Sequence, residues 1–525
     1  MNSFVKKLQK ALIYLVQCLL RLLQLLLSPV FSFVYEPQYD KKLPPIENEI
    51  LRKPAVEIAA LIRQRKLSSH EVVQAFIDRI KSINPHLNVV VAERYHAALE
   101  EAVEIDKALD SGKVPEKWSL SNAPFLGVPF TAKEAFGIVG LPNTSGLLSR
   151  ASVVADKDAD AVKLMRAAGA IPIGLTNCSE LCMWYESSNL IYGRANNAYH
   201  QGRMVGGSSG GEGCVLSASG SVIGIGSDIG GSIRMPAFFN GVFGHKPSTG
   251  FVKNVGQFPI AKGEAMEFLS TGPMCRYSAD LLPMFKCLLG PDDSKKLQLD
   301  SEVEPKNLKV FFMKEDGSFL TSPVHPEIKD CIKKAVEHMR DIGCEVQEVS
   351  LSDLKFSFDI WSAMMSSSGN DKFCVLMGGG RPVNPYVELL YWMMGKARHT
   401  LPAIGLGIAE KAGYPPKVVA KLREKCANLK KEMEEMLGEN GVFFYPTHPV
   451  PAPYHNQPLT LIPNFAYTGI INVLGLPATN VPMGLARKER VPIGFQVVGA
   501  HKMDRNCLAV AKELENAFGG WTPIL

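Results

Sequence analysis

Gly206-Gly207-Ser208-Ser209-Gly210-Gly211-Glu212, followed after a run of small residues by Gly226-Ser227-Asp228-Ile229-Gly230-Gly231-Ser232-Ile233-Arg234-Met235-Pro236, is the stretch on which the reading of this chain turns. Two glycine-rich turns each present a serine. Glycine lets a backbone turn sharply and brings its N–H groups close to a ligand with no Cβ in the way. A serine in such a loop suits nucleophilic attack, and neighbouring N–H groups suit an oxyanion. Two other patterns overlap the stretch. Gly206-Gly207-Ser208-Ser209-Gly210 fits the G-x-S-x-G elbow, which makes Ser208 the nucleophile and needs a later histidine such as His448 or His501. Gly224-Ile225-Gly226-Ser227-Asp228-Ile229-Gly230 approaches a dinucleotide fingerprint, but its last glycine comes one place late.

A third element lies upstream, where Phe125-Leu126-Gly127-Val128-Pro129-Phe130-Thr131-Ala132-Lys133-Glu134 reads as an apolar strand ending in a lysine. The lysine and the two serine loops, in this order and spacing, resemble the amidase signature family over nearly all of the chain after about Glu36. Segments 176–189 and 235–241 carry a finer likeness to the fatty-acid amide hydrolases within that family. The resemblance implies an α/β fold layered as α/β/α around a large mixed sheet. It implies a Ser-Ser-Lys triad, with Ser232 as nucleophile, Ser208 as relay and Lys133 as base. The N–H groups of Ile229, Gly230, Gly231 and Ser232 would hold the oxyanion. Hydrolysis of a fatty-acid amide would pass through an acyl-enzyme. A small-molecule or aminoacyl amidase of the same fold is the alternative, and an inactive membrane scaffold is the alternative of another class.

The chemistry is coherent without the resemblance. Serine is a weak nucleophile until a base takes its proton, and neither serine loop contains a histidine. Lysine serves as a base only when neutral, so Lys133 should be buried. Ser209 should support the site by hydrogen bonding. Asp228 and Arg234 should pair to fix the loop, since arginine does not give up its proton. The elbow reading leaves Lys133 and the second loop without a role.

Composition sets outer bounds. The chain has 525 residues, 46% of them hydrophobic, which allows a sizeable core. A net charge of +5, spread along the sequence, suggests no nucleic-acid partner. Eleven scattered cysteines fit reduced thiols better than a disulfide framework. No metal ligand set and no organic cofactor motif is expected, and homodimerisation is left open.

Residues 1–35 are read as an N-terminal membrane anchor and 36–525 as the catalytic domain, placing the protein at a membrane. Positions 11–27 are strongly apolar and lack a cleavage-site pattern after them. Lys7, Lys10, Tyr14, Gln17, Arg21, Gln24 and Ser28 fall on one helical stripe. A spanning helix and one lying in the interface both fit. Elsewhere, 55–110 has helical periodicity, 290–307 reads as a polar surface loop, and 170–175, 308–313, 441–446 and 491–498 read as strands. Asn384 to Ala412 reads as an apolar lid beside the substrate's way in, touching lipid.

Overall fold

The computed structural model describes residue 22 and residues 24–524. Thirteen strands follow in chain order: β1 (Val90–Glu93), β2 (Pro129–Lys133), β3 (Ile171–Thr176), β4 (Ser188–Asn189), β5 (Gly193–Arg194), β6 (Ile223–Asp228), β7 (Phe243–Lys246), β8 (Ser270–Cys275), β9 (Lys309–Phe312), β10 (Glu345–Glu348), β11 (Gly441–Tyr445), β12 (Ala478–Leu485) and β13 (Pro492–Gly499). Eleven form one mixed sheet in the order β1-β3-β2-β6-β8-β7-β12-β13-β11-β9-β10, and β4 and β5 form a small hairpin. Every residue of β2, β3, β6, β7, β8, β11 and β13 is buried, whichever face it points to. Such strands must be covered on both sides, so they read in sequence as continuous apolar or small-residue runs. This is the expected α/β fold with a large mixed central sheet.

β2 lies parallel to β3 and to β6, with Ala132 opposite Ile225. Their carboxyl ends therefore lie side by side, the usual place for a ligand site in an open α/β sheet. The helix Ser69–Leu87 packs behind them. Ser68 caps it by accepting from the Glu71 N–H, and Val72, Val73, Phe76 and Ile80 are fully buried. Each such side chain contributes about 1.5–3 kcal/mol on leaving water.

Two local expectations are corrected. The region 55–110 is not wholly helical, because β1 interrupts it and pairs antiparallel with β3. Pro85 and a left-handed Asn88 (φ 52) end the preceding helix just before a run of valines. The stretch 290–307 is not simply a surface loop. Pro291–Lys296 is a helix with proline in its first turn, acids at its start and lysines at its end, and Leu297 and Leu299 beyond it are buried.

The lid region forms two helices, Pro385–Met393 and Leu401–Ala412, capped by the side chains of Asn384 and Thr400. The stripe Val387, Leu390 and Met394 is 42%, 51% and 51% exposed, so it faces away from the core. The second helix turns Ala403 and Ile404 into a small apolar cluster of its own with Leu147, Leu181, Phe373 and Met377. Of the apolar run 11–27, only Leu22 and residues 24–27 lie among the described residues. Residues 24–35 are helical, and Leu25, Leu26 and Phe33 are exposed. No helix among the described residues is long and apolar enough to cross a bilayer, so the expected membrane helix has no support there.

Candidate active site

Lys133 ends β2 with no exposed surface. Its Nζ donates to Ser208 Oγ at 2.7 Å and to Ser227 Oγ at 3.0 Å. Ser227 lies on β6, at the same end of the sheet. Ser208 stands in the loop before the buried helix Gly210–Ser217, where Gly211 packs against the backbone of Asn177 closely enough that a Cβ would collide. Ser209 ties the two serine loops together. Its N–H donates to Ser232 O at 3.2 Å, and its hydroxyl bridges to the backbone of Ser227. Ser232 is 7% exposed, and its Oγ has no protein hydrogen-bond partner among the described residues.

The loop that carries Ser232 is built around Asp228. Its carboxylate accepts from the N–H groups of Gly231 and Ile233 at 2.7 and 3.1 Å, from Asn472 Nδ2 at 2.9 Å, and from the Arg234 guanidinium at 3.0 and 3.1 Å. Both members of the ion pair are fully buried. Burial pushes the Asp228 carboxyl up, but the Arg234 charge and the hydrogen bonds outweigh it and hold the group well below the usual carboxylate range. Arg234 reaches on to Gln496 Oε1 at 2.8 Å, Asn472 Oδ1 at 2.7 Å and Thr468 O at 3.0 Å. Removing one partner of so buried a pair costs about 3–5 kcal/mol.

Three carbonyls of this loop are held by hydrogen bonds. Ile229 O accepts from Trp361 Nε1 at 2.9 Å, Gly230 O from Thr468 Oγ1 at 2.8 Å, and Gly231 O from the Met235 N–H at 2.7 Å. In a trans peptide the following N–H points the opposite way. Gly231 N–H is thereby spent on Asp228, whereas the N–H groups of Gly230 and Ser232 have no acceptor among the described residues. Gly231 sits at φ +117, and a Cβ there would collide with Thr468 Oγ1, so both conformation and space require glycine.

Ser208, Ser227 and Ser232 open onto one cavity of about 910 Å³ whose walls include Phe358, Trp361, Met365, Leu376, Leu406 and Val419. A second lobe of about 330 Å³ shares Cys182, Ile229, Ser232 and Trp361 with it and extends toward Met235 and Phe465. The size and apolar lining suit a small-molecule site. His448 and His501 take no part. His448 Nδ1 contacts Val450 O and His501 Nε2 contacts Thr249 O, and Ser208 accepts from the lysine instead. The region resembling a dinucleotide fingerprint is largely strand β6.

Ser227, Trp361, Thr468 and Asn472 were not among the residues expected from sequence. Ser227 carried a faint signal, since it adjoins Asp228 inside the second motif. The others lie far away in the chain, Asn472 being 244 positions from Asp228.

A buried lysine joined to a serine, a second serine on an apolar cavity and free loop N–H groups together fit a hydrolase of amides. Residues 71–508 match the Amidase family, and the chain belongs to it, among the amidase-signature enzymes. It is 50% identical over 500 residues to Fatty-acid amide hydrolase 2 of Homo sapiens, covering 92% of this chain and 93% of that protein. It is 49% identical over 490 residues to Fatty-acid amide hydrolase 2-A of Danio rerio, covering 91% of each. Among solved structures, one titled Fatty acid amide hydrolase superposes with a TM-score of 0.72 at 22% identity, covering 91% of this chain and 87% of that one.

Proposed function

We propose that this amidase hydrolyses fatty-acid amides, primary or N-acyl, at a membrane surface, with Ser232 as nucleophile and Lys133 as base acting through Ser208. The Lys133–Ser208 hydrogen bond at the edge of the apolar cavity that holds Ser232 carries the reading. Ser232 Oγ attacks the acyl carbonyl. Its proton passes to Ser208, whose own proton passes to Lys133. The developing oxyanion takes the N–H groups of Gly230 and Ser232, with Ile229 beside them. Gly231, already bonded to Asp228, acts by shaping the turn. Lys133 then returns a proton through Ser208 to the departing nitrogen. Water cleaves the acyl-enzyme by the same route reversed, releasing the fatty acid.

Membrane attachment is supported by two apolar surfaces, the helix at 24–35 and the outward stripe Val387, Leu390 and Met394. The printed names of the relatives support the acyl-amide class. The test is to incubate purified protein with short and long acyl amides and with an alkyl fluorophosphonate. Long-chain amides should turn over fastest, and Ser232→Ala should abolish turnover and labelling. Labelling that survives Ser232→Ala but vanishes in Ser208→Ala would overturn the assignment of the nucleophile. A preference for short amides would overturn the substrate class.

A further inference from the structure

Gln257 reaches the cavity from a segment outside both serine loops. That segment is pinned to the turn that follows Lys133. Gly137 N–H donates to Gly256 O at 2.9 Å, and Phe258 N–H donates to Ala135 O at 2.9 Å. The residue is only 6% exposed, and its side chain bonds Thr271 on β8, which lies directly opposite Ser227 on β6. Gln257 lines the larger lobe of the cavity together with Ser208, Ser227 and Ser232. The smaller lobe holds Ser232 with Ile229 and Gly230, but neither Ser208 nor Gln257.

The Gln257 carboxamide fits only one way round. Asn254 Nδ2 donates to Leu269 O at 2.9 Å, and a carbonyl only accepts, so Asn254 turns its Oδ1 the other way. That oxygen accepts from Thr271 Oγ1 at 2.8 Å and from Gln257 Nε2 at 3.1 Å. Gln257 Nε2 also donates to Thr271 Oγ1 at 3.2 Å, so both of its hydrogens are used. Its Oε1 has no hydrogen-bond partner among the described residues and is not shut off from open space. The space it meets is the cavity. Ser208 and Ser227 are both committed to Lys133, which leaves Gln257 Oε1 as a free acceptor on their side of the lobe. A buried acceptor is costly to leave unpaired once a ligand has displaced the water around it.

We propose that Gln257 Oε1 accepts the N–H of the scissile amide and turns its nitrogen toward Ser208. The inference rests on the cavity being the acyl-amide site with Ser208 as relay. When Ser232 Oγ bonds to the acyl carbon, the carbonyl π pair moves onto oxygen and the nitrogen becomes pyramidal. The carbon–nitrogen bond then breaks. Nitrogen keeps the bonding pair and takes the proton that Ser208 passes on from Lys133. That transfer needs the nitrogen lone pair to face Ser208. A hydrogen bond from the N–H to Gln257, on the same lobe as Ser208, holds the nitrogen in that orientation. A site that hydrogen-bonds a substrate N–H disfavours the analogue that lacks it. Primary and secondary amides supply the N–H, and tertiary amides do not.

The test uses full-length protein and three substrates made from one long fatty acid: its N-ethyl amide, its N-ethyl-N-methyl amide and its ethyl ester. Each is followed as kcat/KM at high enzyme concentration, with a thermal melt on every variant. Gln257→Met, close in volume but without the carboxamide, should lower kcat/KM for the N-ethyl amide about three- to tenfold, the share of one neutral hydrogen bond. The other two substrates have no N–H and should stay within about twofold of the parent protein. Gln257→Glu keeps an oxygen toward the cavity. It should keep the parent's preference for the N-ethyl amide over the N-ethyl-N-methyl amide, whatever its overall rate. An N-ethyl-N-methyl amide that loses as much as the N-ethyl amide in Gln257→Met would overturn the proposal, since that pattern marks a disturbed relay rather than a lost N–H contact. So would an unchanged N-ethyl amide rate in Gln257→Met, or a preference in Gln257→Glu below the parent's. If the melt shows Gln257→Met unfolded, the preference of Gln257→Glu decides. Hydrolysis of the N-ethyl amide by the parent protein, with all three rates falling alike in Gln257→Met, would sink this inference alone. A parent protein that hydrolyses none of the three would sink the functional reading and this inference with it.

Discussion

Lys133 has two hydroxyl acceptors, Ser208 and Ser227, and the sequence disclosed only the first. Lys133→Ala should lower kcat/KM by about a hundredfold or more, the usual share of a general base, and the loss should shrink at high pH as hydroxide substitutes. A rate unchanged by Lys133→Ala would remove the lysine from the mechanism. Gly231 makes a sharper demand. Gly231→Ala places a methyl against Thr468 Oγ1 at φ +117, so activity should fall and stability should drop by about 1–3 kcal/mol. Adding Thr468→Ala should recover part of the stability, because it clears the collision but not the backbone conformation. Full recovery of the melting temperature would show that conformation is irrelevant there. The triad candidates were legible because each sits beside glycines or at the end of an apolar run. Trp361, Thr468 and Asn472 were not, because what makes them matter is a partner more than a hundred positions away.

Among elements, the buried strands were the most legible, since burial on both faces leaves a continuous apolar signature. β1 and the helix at Pro291–Lys296 were not, being short pieces set by a proline, a left-handed asparagine and terminal charges rather than by periodicity. The lid helices were visible as apolar stretches, but the direction of their stripe was not, because core-facing and outward-facing apolar helices share one period. Leu390→Glu with Met394→Glu should weaken co-sedimentation with phospholipid vesicles and leave the melting temperature nearly unchanged, since both side chains are half exposed. Binding equal to that of the parent protein would remove the lid from the membrane contact. The lid is also tied to the cavity wall. Glu180, next to Leu181, accepts from His399 Nδ1 at 2.7 Å and from the Thr400 N–H at 2.7 Å, holding the start of the helix Leu401–Ala412.

Across the whole molecule, strand order and burial decide what sequence could not show. Glu212 is fully buried behind the lysine strand, where Thr131 and Thr176 donate to it at 2.8 and 2.9 Å, and burial pushes its carboxyl up to about 8. The folded state therefore holds a proton that the unfolded chain loses near 4.5. The resulting stability is present below that pH and is lost as pH rises through about 8. Melting curves of Glu212→Gln and the parent protein should thus converge toward the variant's favour as pH rises from 5 to 8 in the assay series. A gap between the two that stays constant over that series would show Glu212 ionised throughout.

The reach of Arg234 to Gln496 sets a clock on the molecule's first minute. The two residues are 262 positions apart, and a ribosome adding about 5–20 residues per second needs between about 13 and 52 s to cover that distance. Throughout that interval the nascent chain already carries Lys133, Ser208 and Ser232 but lacks the partners that brace their loop. A chain halted at residue 464, before Thr468, Asn472 and Gln496 are made, should take no fluorophosphonate label, while the completed chain should. Labelling of the halted chain would mean that the serine loop is competent without its distant braces. Otherwise, this hydrolase stays silent until its last eighth is synthesised.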